Sequence, residues 1–478
     1  MSQRKRLSTI ILLLAIFLPI LAACGGGGDT GSTGTTDEAT GDTTGEATDA
    51  EGAEVPPESG DAAPAVDIEG ATAGSAGDIT QIPVEEGATI RFVSPANPTE
   101  QQLYLEGAAR FEQLFPGVTV EYEPINDQYL TRMTAEFTAG TAPDVLLVDG
   151  EVMGNIGYNG LLLSLDEAMG QAGVEASEYV DPLIELYQQD GQTYAIPKDF
   201  NPLVVFINNE MAEAAGVDPT SIQTWDDLKT AADSMTEGEG PGKTFGMCLN
   251  PDILRYGAFM FQNGNPIIDG TQAVFNEPEG VAAMDYWLSY KTDGVGELFS
   301  NMGRGWCGEA FGGRNAAMAI EGGWIVPFLD DPANGATDLP YTAIPLPTPE
   351  NGEPATWLFT NGIGVNANTE FPNASAALAL FLTSDANQKA LIPSGLAQPS
   401  LKALAEDPYY SENEVAKVLV EQGEFGRLAD TTLGGPVIKG DIINTINQDA
   451  LEPIFLGAQT PQEALDAAAE TVNGLLAE

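Results

Sequence analysis

The stretch between residues 25 and 88 most constrains what this chain can fold into. It is dominated by Gly, Thr, Ala, Asp and Glu, and it contains no Lys, no Arg and no aromatic residue. A segment of this composition cannot bury enough apolar surface to offset its loss of conformational entropy. We therefore predict a disordered acidic tether over residues 24–88. The rest of the 478-residue chain is long enough for two domains with sizeable cores.

The first 23 residues have the pattern of a secretory signal peptide. Arg4-Lys5-Arg6 is followed by an apolar run over residues 10–21 and by small residues. The sequence Leu21-Ala22-Ala23-Cys24 resembles a bacterial lipobox, which implies that Cys24 is lipidated and becomes the mature N-terminus. An ordinary signal peptide with an unmodified Cys24 is the alternative. We expect a protein on the cell surface or the periplasmic face, anchored to the membrane through lipidated Cys24.

Charge and the absence of histidine exclude several classes of function. The chain has 71 acidic and 18 basic residues, a net charge of −53, and no His. Nucleic acids and anionic lipid surfaces should repel such a chain, so only the lipid would hold it at a membrane. Without His, Ser-His-Asp triads and His-ligated metals are excluded, which leaves carboxylate chemistry as the open enzymatic possibility. We expect a monomer without metal or cofactor.

Two further cysteines remain once Cys24 is assigned to the lipid. Cys248 and Cys307 would share an oxidising compartment, where disulfides form and persist. We predict a disulfide between them. Two independent buried thiols are the alternative.

Beyond residue 88 the hydrophobic pattern alternates between strands and helices. Strands are predicted at 89–93, 118–122 and 143–149, with amphipathic helices over 104–115 and 129–139 between them. Such alternation favours an α/β fold with a parallel sheet and helical crossovers. Further strands are predicted at 203–207, 244–249, 316–320, 341–344 and 362–365, and capped helices are predicted to begin after Thr224 and Thr460.

Four segments occur in a characteristic order along the chain. They are Ala142-Pro143-Asp144-Val145, Tyr194-Ala195-Ile196-Pro197-Lys198-Asp199-Phe200, Thr224-Trp225-Asp226-Asp227-Leu228 and Ala316-Ala317-Met318-Ala319-Ile320-Glu321-Gly322-Gly323-Trp324. Together they resemble the extracellular solute-binding proteins of ABC importers, in the carbohydrate-binding group that includes maltose-binding proteins. The resemblance extends from about residue 88 to the C-terminus.

This resemblance implies a two-lobed, type II periplasmic-binding-protein-like fold with a hinge between the lobes and the ligand in the cleft. Binding would favour a closed form that a permease recognises. The first lobe would comprise residues 89–198 plus 345–398, and the second residues 199–344 plus 399–478. The chain would cross between the lobes near residues 197–200, 344–348 and 395–399.

The resemblance also suggests which side chains grip a sugar. Asp199 would accept hydrogen bonds from hydroxyl groups, Lys198 would donate to them, and Trp324 would stack on the apolar face of a sugar ring. Each of these residues could instead have a purely structural role. Asp149 and Glu151 follow the strand residues 145–148, where the family often places ligand contacts. The family frequently has an aromatic residue at the position of Val148, which makes a maltose-like ligand less expected. Five further candidates are Asn97, Glu100, Asp252, Trp357 and Asn361.

The sequence thus predicts a non-enzymatic, lipid-anchored component of an ABC transporter that captures a sugar or oligosaccharide for import. A second hypothesis keeps the fold but changes the ligand to a polyol or to a cationic solute such as a polyamine. In the cationic case, Asp149, Glu151 and Asp199 would act as counter-charges. A third hypothesis, from another class, is a secreted glycoside hydrolase that uses two carboxylates.

Overall fold

The computed structural model describes residues 73–150, except 76 and 127, together with residues 160–428 and 439–477. The signal peptide, the lipidation site Cys24, residues 24–72 of the tether and the candidate ligand residue Glu151 lie outside the described residues. Within the described part of the chain, no helix is both long and apolar enough to span a membrane.

The folded body begins before the boundary predicted from composition. Ile79 and Ile82 are buried in the same core as the first predicted strand, and Val84 packs against that core. The carbonyl of Gly74 also accepts a hydrogen bond of 2.9 Å from the backbone N–H of Asp385. The predicted tether is therefore wrong for residues 73–88, because a few apolar side chains anchor this polar segment to the body.

The strands are spread along the whole body. They are β1 (Thr89–Ser94), β2 (Thr119–Pro124), β3 (Val145–Asp149), β4 (Gln188–Gln189), β5 (Gln192–Thr193), β6 (Ala195–Pro197), β7 (Asp199–Pro202), β8 (Val204–Asn208), β9 (Phe245–Leu249), β10 (Ile268–Asp269), β11 (Gln272–Ala273), β12 (Gly296–Leu298), β13 (Ala316–Glu321), β14 (Tyr341–Ile344), β15 (Thr356–Phe359), β16 (Asn361–Val365), β17 (Gln398–Pro399) and β18 (Gly426–Arg427).

The α-helices alternate with these strands. They are α1 (Pro98–Leu114), α2 (Tyr129–Ala139), α3 (Asp166–Ala172), α4 (Asp181–Leu186), α5 (Asn209–Ala215), α6 (Trp225–Met235), α7 (Ile253–Gln262), α8 (Pro278–Thr292), α9 (Cys307–Gly312), α10 (Ile325–Asp330), α11 (Pro372–Leu382), α12 (Asp385–Leu391), α13 (Pro408–Glu412), α14 (Glu414–Gly423), α15 (Lys439–Thr445), α16 (Glu452–Phe455) and α17 (Pro461–Leu476). The predicted capping boxes at Thr224 and Thr460 are both present, and they start α6 and α17.

The first lobe is built on a five-stranded sheet in the order β2-β1-β3-β16-β6. Strand β1 runs parallel to β2 and β3, whereas β16 runs antiparallel to β3 and β6. Helices α1 and α11 cover this sheet, and Phe92, Phe111 and Phe381 are buried in the core between them. The predicted parallel start of the fold is confirmed.

The second lobe is built on another five-stranded sheet, in the order β12-β9-β13-β8-β14. Strand β9 is parallel to β12 and β13, and β8 is antiparallel to β13 and β14. The predicted disulfide is present. It joins Cys248 in β9 to Cys307 at the start of α9, with the two Cα atoms 5.6 Å apart.

A smaller sheet in the order β17-β7-β15-β18 joins the lobes. The chain passes from β6 in the first sheet through β7 to β8 in the second, and it returns from β14 through β15 to β16. The return crossing lies at β15, beyond the predicted residues 344–348, because Leu346 and Ala355 pack in the core of the second lobe. Conversely, Leu401, Leu404 and Tyr410 pack in the core of the first lobe, although the sequence assigned them to the second.

Candidate functional site

A cavity of about 790 Å³ lies between the two lobes. The first lobe contributes the start of α1 and the turn after α12, and the second lobe contributes the start of α9 and the whole region of α10. The lining residues are Asn97, Pro98, Thr99, Pro393 and Ser394 from the first lobe, and Trp306, Trp324, Pro327, Phe328, Asp330, Asp331, Pro332 and Asn334 from the second. A cavity of this size, apolar on one side and with short polar groups around it, is typical of a small-molecule site.

Three aromatic residues of the second lobe, Trp306, Trp324 and Phe328, form what we call the aromatic wall of this cavity. The rings of Trp306 and Phe328 meet edge to face, with their centroids 5.0 Å apart. Trp306 directly precedes Cys307, so the disulfide to β9 fixes the backbone beside it. Trp324 directly precedes α10, and Phe328 lies on that helix.

Both tryptophans of the wall lie over a glycine. A Cβ atom added to Gly308 would stand 2.1 Å from the indole ring of Trp306, and one added to Gly322 would stand 2.4 Å from the ring of Trp324. Those distances are well inside van der Waals contact, so any side chain at either position would displace the ring. The two glycines therefore set the orientation of the two indoles.

Trp324 is also held by charged and aromatic groups. Its indole N–H donates to Glu321 Oε2 at 3.0 Å, and the guanidinium of Arg255 lies 5.6 Å from its ring centroid. Arg255 donates to the same Glu321 oxygen at 2.8 Å. Phe359 of β15 meets the Trp324 ring edge to face at 5.1 Å. Trp324 is thus connected both to the second lobe and to the joining sheet.

The predicted acidic and basic ligands near the first crossing pair with one another. We call Glu100, Lys198 and Asp199 the hinge cluster. Lys198 Nζ donates to Glu100 Oε1 at 2.8 Å and to Asp199 Oδ2. Burial opposes the charge on Lys198, but the two carboxylates raise its pKa above the usual value. Burial raises the pKa of Asp199, although Lys198 counteracts that effect.

The hinge cluster is distinct from the large cavity. Glu100 and Lys198 line a separate space of about 40 Å³ between α1 and α12, and none of the three residues is among the described lining of the 790 Å³ cavity. The backbone carbonyl of Asp199 accepts a hydrogen bond from Thr360 Oγ1 at 2.7 Å, next to β16. The cluster thus ties β7 to the first lobe.

The other predicted residues have varied positions. Asn97 lines the large cavity and also caps α1, where its Oδ1 accepts from the Glu100 N–H at 2.9 Å. Asp252 caps α7 and accepts from Asn447 Nδ2 at 2.9 Å. Asp149 and Asn361 are paired in register at the ends of β3 and β16. Trp357 is fully buried against Phe261, so it presents no surface to a ligand in this conformation.

Sequence reasoning missed Trp306, Phe328 and the carboxylates Asp330 and Asp331 of the cavity, as well as Arg255 behind Trp324. One signal was available for Trp306, since it is adjacent to a cysteine already predicted to be bonded. Asp330 ends the helix that Trp324 introduces and Asp331 directly follows it, so both lie close to Trp324 in the sequence. Trp225, by contrast, packs its helix against the second lobe, because its ring is buried and stacks on Tyr286 at 4.3 Å.

Two lobes joined by crossing strands, with a ligand-sized cavity between them, define a two-lobed binding protein. The family described as bacterial extracellular solute-binding protein matches residues 106–417, and the chain belongs to this family. The galactooligosaccharide-binding protein of Bacillus subtilis (strain 168) is 25% identical over 348 residues, which cover 70% of this chain and 77% of that relative.

Solved structures share the fold over most of the chain. The ABC substrate-binding protein of Listeria monocytogenes in complex with cycloalternan has a TM-score of 0.74 and 21% identity, covering 82% of this chain and 100% of that one. UgpB of Mycobacterium tuberculosis in complex with glycerophosphocholine has a TM-score of 0.72 and 20% identity, covering 81% and 98%. These relatives are binding proteins, and their fold is the two-lobed fold expected from the sequence.

Proposed function

We propose that this protein captures a sugar or short oligosaccharide in the cavity between its lobes and delivers it to an ABC permease for import. The observation that carries the proposal is the composition of the cavity lining. Aromatic rings from the second lobe lie opposite short hydroxyl and amide side chains from the first, among them Asn97, Thr99 and Ser394. A sugar ring has apolar C–H faces and hydroxyl groups that donate and accept, so it matches both kinds of surface.

The state of the charged residues favours an uncharged ligand. Asp199, which the sequence offered as a counter-charge for a polyamine, is buried and already ion-paired with Lys198. Glu100 shares the same lysine. A cationic solute would have to compete with a lysine that is already desolvated and in place. The relative from Bacillus subtilis is named for an oligosaccharide, which supports the same choice.

A cationic solute remains the second candidate because of one observation. Asp330 and Asp331 line the cavity, and its described lining includes no Lys or Arg. Aromatic rings beside carboxylates suit an ammonium group as well as a sugar. The glycerophosphocholine complex of UgpB indicates that this fold also accommodates ligands other than sugars.

Membrane attachment is part of the proposal. Lipid on Cys24, followed by the acidic segment up to residue 72, would keep the body close to a permease while leaving it free to reorient. A Cys24→Ala variant should then be released into the soluble fraction with its binding unchanged. Retention of this variant in washed membranes would contradict the lipid anchor.

The ligand class is tested by a thermal-shift screen of the purified protein against oligosaccharides, polyols and polyamines at low and high salt. A ligand that binds only the folded state raises the melting temperature by mass action. We expect a shift with a sugar that does not change with salt, because neutral ligands gain little from long-range charge. A shift with polyamines alone that fades at high salt would support the cationic candidate. Absence of any shift with sugars would overturn the proposal.

A further inference from the structure

We propose that Arg255 is a positioning residue that fixes the Trp324 ring from behind and connects it to the joining sheet. The proposal rests on the proposed function in one respect, namely that Trp324 is the surface on which a ligand stacks. Nothing in the sequence pattern singles out Arg255, which lies near the start of α7. Its role follows from the groups that surround its guanidinium.

The guanidinium lies between two aromatic rings. It is 5.6 Å from the ring centroid of Trp324 and 5.3 Å from that of Phe359, and the two rings are themselves in edge-to-face contact. A planar guanidinium suits such a position because it stacks on rings and is more weakly hydrated than an ammonium group. Trp324 belongs to the second lobe and Phe359 to β15 of the joining sheet. Arg255 therefore contacts both the wall of the cavity and the strand that connects the lobes.

A shared carboxylate fixes the orientation of both groups. Glu321 Oε2 accepts from Arg255 Nη2 at 2.8 Å and from the Trp324 indole N–H at 3.0 Å. Asp252 Oδ2 lies 3.5 Å from Arg255 Nη1 on the other side. Arg255, held by Glu321 and Asp252, thus fixes the position of the Glu321 oxygen that accepts the hydrogen bond from the indole.

Stability alone is a poor reason for this arrangement. The Glu321 side chain is 1% exposed, and among the described residues its Oε1 atom and the Nε atom of Arg255 have no hydrogen-bond partner. Buried ion pairs often contribute little net stability, and unpartnered buried polar atoms are costly. The Arg255–Glu321 pair contacts the Trp324 ring, and we infer that its role is to hold that ring in place.

The first test needs no ligand. In a Trp306→Phe background, Trp324 is the most exposed remaining indole, since Trp225, Trp287 and Trp357 are 8%, 1% and 0% exposed. Acrylamide quenching then reports mainly on Trp324. We expect Arg255→Met to raise the quenching constant about twofold and Arg255→Lys to restore part of the protection, because lysine keeps the charge without the planar fork. Arg314→Met, which removes a partly exposed ion-paired arginine of the same lobe, is the matched control.

The second test uses the sugar identified by the screen, titrated against the same arginine variants in the native background. We expect Arg255→Met to weaken binding about tenfold, with partial recovery in Arg255→Lys. Unchanged quenching in a folded Arg255→Met protein would overturn the proposal and leave Arg255 as a structural ion pair. If Arg255→Met does not fold, Arg255→Lys serves as the test. A quenching constant above that of the native arginine would support the proposal, and an unchanged constant would overturn it. If no sugar binds at all, the proposed function fails while the quenching result still stands.

Discussion

The two sides of the cleft present different groups to a ligand. On the hinge side, Glu100, Lys198 and Asp199 are buried and satisfy one another, so little of their charge is available to a ligand. On the side of the second lobe, Trp306 and Phe328 are presented to the cavity. The acidic residues close to this crossing strand thus hold the strand, and under the proposed function recognition falls to the aromatic wall and to short polar groups.

The largest expected effect tests the hinge side. Lys198→Met leaves two carboxylates, whose side chains are only 15% and 5% exposed, without a counter-charge. Removing one partner of a buried ion pair typically costs about 3–5 kcal/mol. Urea denaturation at neutral pH should show a loss of that size. Lys402→Met, which removes an exposed ion pair with Asp181, should cost less than about 1 kcal/mol.

The pH dependence of this variant sharpens the same point. Burial already raises the pKa of Asp199 above its usual value, and removal of Lys198 should raise it further. A carboxyl group whose pKa is higher in the folded state binds protons more readily there, so the fold gains stability as pH falls. The deficit of Lys198→Met should therefore shrink between neutral and mildly acidic pH. A stability deficit of Lys198→Met that grows on acidification would contradict the assignment of Lys198 as the counter-charge of the buried Asp199.

The next effect tests the aromatic wall. Trp306→Ala should weaken sugar binding by about 2 kcal/mol, or roughly 30-fold, as expected for a central aromatic contact. The measurement is a calorimetric titration. Trp225→Phe is the matched control, since that tryptophan is buried and donates to Gln262 Oε1 at 2.7 Å. The control should melt at a lower temperature with unchanged affinity. If the two variants lose affinity equally, the aromatic wall is not the ligand surface.

A smaller effect tests whether the orientation of the Trp306 ring matters as well as its presence. Gly308→Ala would push a methyl group into the Trp306 ring, which can swing aside at little cost in stability. We expect about a tenfold loss of affinity, corresponding to about 1.4 kcal/mol, with a nearly unchanged melting temperature. Gly474→Ala in α17 is the control, because nothing lies near its added Cβ atom. Helix propensity should make that control more stable with unchanged binding. Native affinity in Gly308→Ala would show that the glycine does not set the ring.

The smallest effect concerns charges remote from the cleft. Glu136 accepts hydrogen bonds from Arg91 and Arg132, which lower its pKa below the usual value of 4.5. A lowered carboxyl pKa contributes stability above the unfolded-state value, and that stability is lost as pH falls. Glu136→Gln should therefore flatten acid denaturation below about pH 4.5, by less than about 1 kcal/mol. The Glu136 carboxylate thus loses its stabilising effect as pH falls, whereas the Asp199 carboxyl group of the hinge variant becomes more stabilising. Identical acid profiles for Glu136→Gln and the native chain would contradict this assignment.

Local patterns allowed much of the fold to be predicted. The alternation of β1, α1 and β2 was visible because each element has its own hydrophobic period. The capping boxes at Thr224 and Thr460 could be predicted because each depends only on two residues three positions apart. The boundary of the tether was harder. Ile79 and Ile82 are isolated in a polar segment, and their burial depends on a core built from distant parts of the chain.

The candidate site was less predictable because its interactions are long-range. Sequence placed Asp199 at a crossing but could not reveal that Glu100 and Lys198 would neutralise each other beside it. Trp324 and Trp357 have the same chemistry, yet one lines the cavity and the other fills the core of the second lobe. Arg255 is brought to Trp324 by the packing of α7 against β15 and by its ion pair with Glu321 at the end of β13, which no local motif specifies.

The central claim is tested most directly by a crystal structure of the protein with the sugar that gives the largest salt-insensitive thermal shift. We predict a sugar ring in the cavity between the lobes, with a C–H face on Trp324 or Trp306 and hydroxyl groups within hydrogen-bond distance of Asn97 or Ser394. In that complex, Lys198 should remain paired with Glu100 and Asp199. A sugar bound at the hinge cluster in place of that ion pair, or outside the cleft, would contradict the account.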